Sequence, residues 1–280
     1  MTAFKYTDYL KTEAQPYMWC PGCGDGIIVR ALADALAELE LPPEKVVIAT
    51  GIGCWGKADD YFRTHAFHGT HGRALPYATG ISVGNPDLHV IALMGDGDAV
   101  TIGGNHFIHA ARRNINLTAI IANNFNYGMT GGQYSATSPL TARTATSPRG
   151  VPEPGFDVCA LAQTCGANFI ARTTAYHVLQ IKKYIKQAIQ KKGFSLVEVM
   201  SPCPTHFGRR NFPAGPLAMM KYLKEKAVSI SRYEKMAAEE RSEYLATGVF
   251  ADNDRKDFLT VYWDLNSSQQ ASGGAVNNEK

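Results

Sequence analysis

The sequence predicts an α/β fold: a doubly wound, mostly parallel sheet. Three observations carry this expectation. Short apolar runs, VVIAT at 46–50, HVIALM at 89–94, LTAIIA at 117–122 and SLVEVM at 195–200, lack clean apolar–polar alternation. Strands read this way when helices cover both faces of a parallel sheet. Segments of helical periodicity lie between them, and the alternation of strand and helix repeats along the chain.

Taken in order, the first helix spans 26–39, with Ile27, Ile28, Ala31, Leu32, Ala35, Leu36 and Leu39 at helical spacing. The strand at 46–50 follows, then the strand at 89–94, a helix at about 104–113 and the strand at 117–122. A helix at 177–191 and the strand at 195–200 complete the series. From Pro213 the pattern changes to charged helical segments such as KYLKEKAVSISRYEKMAAEERSEYL. The chain therefore divides into a ligand-binding domain over 1–215 and a helical arm over 216–280. The arm ends in a polar, glycine-rich tail from Ser267, expected to be mobile or wrapped on a neighbour.

Composition narrows the function. The 280 residues are 45% hydrophobic, enough for a sizeable core. A net charge of +3 gives no case for a nucleic-acid partner. No run approaches the ~20 apolar residues of a membrane span. The first residues, MTAFKYTDYLKTEAQPY, carry Asp8 and Glu13 and no apolar stretch of a secretory signal. A cytoplasmic, reducing setting is expected. There, six cysteines read as metal ligands, catalytic thiols or core residues rather than disulfides.

In doubly wound sheets, ligands bind beyond the carboxyl ends of the strands. The loop after residue 94 begins Gly95-Asp96-Gly97, a carboxylate between two glycines that permit a sharp turn and close approach. A carboxylate there suits Mg²⁺. Gly103-Gly104 opens the next helix, whose first N–H groups favour phosphate. The following strand ends in Asn123-Asn124-Phe125-Asn126-Tyr127-Gly128, and Asn124 offers a neutral oxygen. Alone, GDG is a bare turn and the asparagines serve left-handed geometry. Together, a helix and a strand apart, they form a plausible Mg²⁺–diphosphate clamp.

This GDG…NN arrangement resembles the signature of thiamine diphosphate enzymes. NYGMTGGQYSATSPLT (126–141) and HGTHGRALPYATGI (68–81) resemble segments of the 2-oxoacid:ferredoxin oxidoreductases. WCPGCG, GIGCWGKADDYF and SPCPTHFGRRN resemble the β subunit of the 2-oxoglutarate branch. The resemblance runs from about residue 15 to 215. It implies the thiamine diphosphate-binding fold, with Asp96, Asn124 and the Asn126 carbonyl as Mg²⁺ ligands. It further implies that Gly95, Gly97, Tyr127, Gly128, Thr130 and the His71 loop lie against the cofactor. One [4Fe–4S] cluster is implied in the same subunit. Coenzyme A is the implied co-substrate and ferredoxin the electron acceptor. An α subunit would supply the glutamate partner of the aminopyrimidine ring, in an α2β2 assembly.

Four cysteines sort accordingly. Cys54 follows the 46–50 strand, Cys203 follows the 195–200 strand, and Cys20 and Cys23 precede the first helix. Four thiolates from three loops suit one [4Fe–4S] cluster. A Cys₄ zinc site is the alternative, although its ligands usually come as two C-x-x-C pairs. A redox dithiol fits less well, because that motif follows a strand. Cys159 and Cys165, in FDVCALAQTCGANF, read as small buried hydrophobes. Trp19 and Trp55 flank cysteines and either shield the cluster or pack the core.

Lys57 reads either as a cation for a substrate carboxylate or phosphate, or as a surface lysine. Arg209 and Arg210 suit the distal carboxylate of a dicarboxylic oxoacid, or else contact the partner subunit or shield the cluster. His65 and His68 have no assigned role. The expected reaction is CoA-dependent oxidative decarboxylation of 2-oxoglutarate to succinyl-CoA and CO₂, with electrons passed through the cluster to ferredoxin. The rivals are pyruvate, 2-oxoisovalerate or indolepyruvate as substrate, a thiamine lyase whose cysteines hold zinc, and an electron-carrier subunit without catalysis.

Overall fold

A computed structural model describes residues 4–273, with side chains to residue 267. Of the polar tail from Ser267, residues 267–273 continue the Phe258–Gly273 helix and 274–280 lie outside the described residues.

The centre is an eight-stranded sheet. Its strands are β1 (Val46–Thr50), β2 (His65–His68), β3 (His89–Gly95), β4 (Leu117–Asn123), β5 (Phe169–Thr174), β6 (Phe194–Met200), β7 (Ala227–Ser229) and β8 (Leu245–Asp252). Their spatial order is β2-β1-β3-β4-β6-β5-β8-β7. The six strands from β2 to β5 are all parallel; β8 joins β5 antiparallel, and β7 pairs with β8 in parallel. Every residue of β1, β4, β5 and β6 is buried, which explains why three of them read as unbroken apolar runs.

The sheet has a core on each face. On one side Ile48, Ile120 and Val197 pack with the Asp25–Glu38 and Val178–Gln190 helices. On the other, Ala92, Ile121 and Leu196 pack with the Ala74–Gly84, Gly104–Arg113 and Val158–Thr164 helices. Alternate residues of each strand serve opposite cores, as the period of two requires. The Gly104–Arg113 helix stops at Asn114, whose left-handed φ of 53° asparagine tolerates. The Asn114 side chain also accepts from the Phe194 N–H at 2.9 Å, tying the helix end to the start of β6.

Two expectations need correction. The C-terminal segment is not purely helical: β7 and β8 lie within it and extend the sheet. β7, AVS, is too short to show a pattern, and β8, LATGVFAD, is only partly buried and is interrupted by Gly248. β2 and β5 are also additions to the expected strands. β2, HAFH, is an exposed edge strand without an apolar signature. β5, FIARTT, is fully buried but ends in arginine and threonines that hydrogen bond inside the fold.

The order places β1, β3, β4 and β6 side by side. The chain leaves β1 towards β2 on one side and reaches β3 on the other. The crevice between β1 and β3 is therefore the topological switch point where such sheets bind ligands.

Candidate active site

At the carboxyl ends of these strands, one cleft is lined by Gly95, Asp96, Gly97, Asn124, Asn126, Tyr127, Gly128, Thr130 and His71. All nine residues expected around a cofactor are thus brought together. Ile52, Cys54, Asp98 and Met129 join them.

Asp96 follows β3 and is 1% exposed. Its Oδ2 accepts from the hydroxyls of Ser135 at 2.5 Å and Thr137 at 2.7 Å, and its Oδ1 from the Asn124 N–H at 3.3 Å. Burial pushes its carboxyl up, against the opposing pull of these hydrogen bonds. The side-chain oxygen of Asn124 stands 2.7 Å from the Asn126 carbonyl oxygen and 3.3 Å from Asp96 Oδ1. Turned over, the Asn124 amide would donate to both of these acceptors. The turn carrying the asparagines includes Phe125 at a φ of 65°, unusual for a residue with a side chain.

Asp98 is the residue sequence reasoning overlooked. It lies in the π-helical turn Gly97–Ile102 that continues GDG and is 3% exposed. Its Oδ1 accepts from the Gly72 N–H at 2.6 Å and the Ile52 N–H at 3.3 Å, and meets His71 Nδ1 at 2.6 Å. Its Oδ2 is buried with no partner. A side chain at Gly51 would collide with this carboxylate, so glycine is required there. The available signal was the second aspartate in GDGD. Ser135 and Thr137 were also missed; they lie in a polar run, QYSATS, whose hydroxyls meet Asp96 only through the fold.

The four cysteines of the sequence argument line a second cavity of ≈ 210 Å³. It shares Cys54, Asn124, Gly128 and Met129 with the cleft, so the two abut. A Cβ at Gly128 would sit 3.6 Å from the sulfurs of both Cys54 and Cys203. Burial pushes the Cys54 thiol up to about 12, and burial with nearby Asp25 pushes Cys23 up as well. A redox dithiol needs the opposite, a thiol held low. Among the described residues no three His, Cys, Asp or Glu side chains form a group that could hold a single metal ion. Cys159 is buried outside this cavity, with its thiol 3.4 Å from Glu198. Cys165 is half-buried.

Trp19 and Trp55 both pack against the core, and Trp19 also lines the cysteine cavity. Trp19 donates to the Cys54 carbonyl at 2.7 Å and so ties the Cys20 segment to the Cys54 loop. Trp55 is 2% exposed and donates to the Ile120 carbonyl inside the core. Three other residues stand away from the cleft. Lys57 pairs with Asp60 at 2.7 Å, because the Trp55–Tyr61 turn of 3₁₀-helix puts both on its solvent side. Arg209 faces another cavity, beside Pro21 and Phe212. The Arg210 guanidinium donates to the His206 carbonyl at 3.1 Å and lies near Gly132.

A doubly wound sheet with these strand-end loops suits a thiamine diphosphate-binding domain, and comparison with known proteins agrees. The family described as thiamine pyrophosphate enzyme, C-terminal TPP binding domain, matches residues 47–199. The 2-oxoglutarate synthase subunit KorB of Methanocaldococcus jannaschii is 42% identical over 251 residues, 90% of this chain and 93% of that protein. The subunit of the same name from Archaeoglobus fulgidus is 50% identical over 221 residues, 79% of this chain and 80% of that one. Among solved structures, the 2-oxoglutarate:ferredoxin oxidoreductase from Magnetococcus marinus, with 2-oxoglutarate, coenzyme A and succinyl-CoA bound, superposes with a TM-score of 0.85. It is 30% identical, over 100% of this chain and 94% of that one. The chain belongs to the β-subunit family of the 2-oxoglutarate synthases, within the 2-oxoacid:ferredoxin oxidoreductases.

Proposed function

We propose that this chain, with an α subunit, catalyses the CoA-dependent oxidative decarboxylation of 2-oxoglutarate to succinyl-CoA and CO₂, delivering two electrons to ferredoxin. The observation that carries the reading is the abutment of the two cavities. The clamp of Asp96, Asn124 and Asn126 and the cavity of Cys20, Cys23, Cys54 and Cys203 share a wall at Gly128.

The residues present fit both groups. The Asn124 side-chain oxygen, near Asp96 Oδ1 and the Asn126 carbonyl, repels them unless the amide turns over to donate or a cation sits between them. The buried Asp96 carboxylate favours the cation, since buried charge needs compensation. These donors are hard oxygens, which would suit Mg²⁺. Cys20, Cys23, Cys54 and Cys203 line one cavity, and four thiolates there would suit a [4Fe–4S] cluster, whose iron would take the raised Cys23 and Cys54 thiols as thiolates. When bound, thiamine diphosphate supplies the electron sink for decarboxylation, and the cluster supplies one-electron acceptor levels.

The chain's own residues set the stage for this chemistry. Asp96, Asn124 and the Asn126 carbonyl would hold the cation. Ser135 and Thr137 fix the Asp96 carboxylate by donating to its outer oxygen. Gly97 lets Tyr127 pack directly over the GDG turn, where a Cβ would strike its ring. Asp98 anchors His71 in the cleft through Nδ1, leaving Nε2 as the free ring nitrogen. Ile52 and Met129, lining the cleft yet exposed, offer an apolar rim for the α subunit. That subunit supplies the carboxylate for the aminopyrimidine ring, and two αβ pairs assemble.

The test is co-expression with the α subunit, followed by ferredoxin reduction with 2-oxoglutarate and CoA. Turnover requiring both substrates and both chains is expected. Robust turnover by this chain alone, or turnover with pyruvate and none with 2-oxoglutarate, would overturn the reading.

A further inference from the structure

Behind the asparagine turn lies a buried polar string outside the residues assigned above. Arg172 on β5 and Glu198 on β6 are direct cross-strand partners, and Glu198 is the diagonal neighbour of Asn123 at the end of β4. Asn123 is 2% exposed, Glu198 1% and Arg172 6%. The Asn123 amide donates to Glu198 Oε1 at 2.8 Å. Arg172 Nε donates to Glu198 Oε2 at 2.6 Å, and its Nη2 to Asp157 Oδ1 at 2.5 Å. The Cys159 thiol also points to Oε2, at 3.4 Å.

We infer that Glu198, held by Arg172, is a positioning residue that fixes Asn123 and thereby the turn presenting Asn124 and the Asn126 carbonyl to the cation. The inference rests on the clamp reading given above. A carboxylate only accepts, so it dictates which way the Asn123 amide faces. With its NH₂ on Glu198, the Asn123 oxygen must face the opposite way, where it accepts from the Phe125 N–H at 3.1 Å. Phe125 is the residue in the left-handed region, so this hydrogen bond holds the strained point of the turn. The same oxygen lies 3.2 Å from Thr137 Oγ1, the hydroxyl that donates to Asp96. Polarity therefore runs from Arg172 through Glu198 and Asn123 to the Phe125 N–H of the turn. An apolar core would fill the same space but would leave the amide free to turn over.

The test exchanges the polarity of one contact. Asn123→Asp sets two carboxylates against each other. Glu198→Gln lets the Asn123 amide reverse, which removes the acceptor from Phe125. In the double variant the introduced glutamine amide donates to the introduced aspartate. The other oxygen of that aspartate still accepts from Phe125, while the glutamine oxygen serves Arg172. Cofactor-stripped αβ complex is titrated with Mg²⁺ and thiamine diphosphate by calorimetry, with thermal melts as the folding control. Each single variant should weaken Mg²⁺ affinity about 10- to 100-fold, as for other groups that orient a metal ligand. The double variant should return to within about threefold of the parent. Parent complex that binds neither Mg²⁺ nor thiamine diphosphate sinks the clamp reading instead. Parent-like binding by both single variants, or losses that add in the double variant, overturns the inference. Where a single variant fails to assemble, the double variant decides: it must bind like the parent.

Discussion

His71 Nδ1 lies 2.6 Å from Asp98 Oδ1, and the other Asp98 oxygen is buried without a partner. The carboxylate thus holds one ring nitrogen and turns the other free. Replacing Asp98 by alanine removes the acceptor shared by His71 Nδ1 and the Gly72 and Ile52 N–H groups. Turnover of the assembled enzyme should fall about 10- to 100-fold, the usual effect of losing a group that orients a functional side chain. Steady-state ferredoxin reduction measures this; unchanged kcat would remove His71 from the working site.

Asp96 offers a sharper loss. Of Asp96, Asn124 and the Asn126 carbonyl, it alone carries a carboxylate. Asp96→Ala should abolish saturable Mg²⁺-dependent binding of thiamine diphosphate in calorimetry while leaving iron content unchanged. Undiminished Mg²⁺ dependence would move the cation elsewhere.

The cysteines can be separated by spectroscopy. Cys203→Ala and Cys54→Ala should lose the visible absorbance that dithionite bleaches, together with bound iron. Cys159→Ala should keep both, because its sulfur lies outside the shared cavity. Zinc in place of iron in the anaerobically purified parent would reverse the assignment.

His89 provides a stability prediction away from the site. Half-buried at the start of β3, it has its pKa lowered by burial below the ordinary 6.5. The unfolded chain then binds the proton more tightly than the folded one. Stability is complete above the unfolded value and is lost as pH falls below it. The melting temperature should drop on acidification from neutrality, and His89→Asn should flatten that drop. A parallel curve for the variant would show that His89 carries none of it.

Much of the architecture was legible because buried parallel strands leave continuous apolar runs. β1, β4 and β6 announced themselves in this way, and the Gly104–Arg113 helix was bounded by its glycines. β5 and β2 were not, since Arg172 and the histidines of HAFH carry no such signature. Asp98 was visible as a letter in GDGD, but its partner His71 is 27 positions away and meets it only across the folded loops.

Residue types and their strand-end positions were determined by the sequence itself. Hard oxygens in GDG and NN and thiols at 20, 23, 54 and 203 define the available chemistry, because local backbone rules put loops where strands stop. Which of them meet was decided by the tertiary structure. The strand order set β1, β3, β4 and β6 adjacent, so Cys54, Asp96, Asn124 and Cys203 share one edge. The same packing turned Lys57 out to Asp60 and brought Glu198 beneath Asn123. Sheet register and burial make those choices, and neither is written in any local stretch of chain.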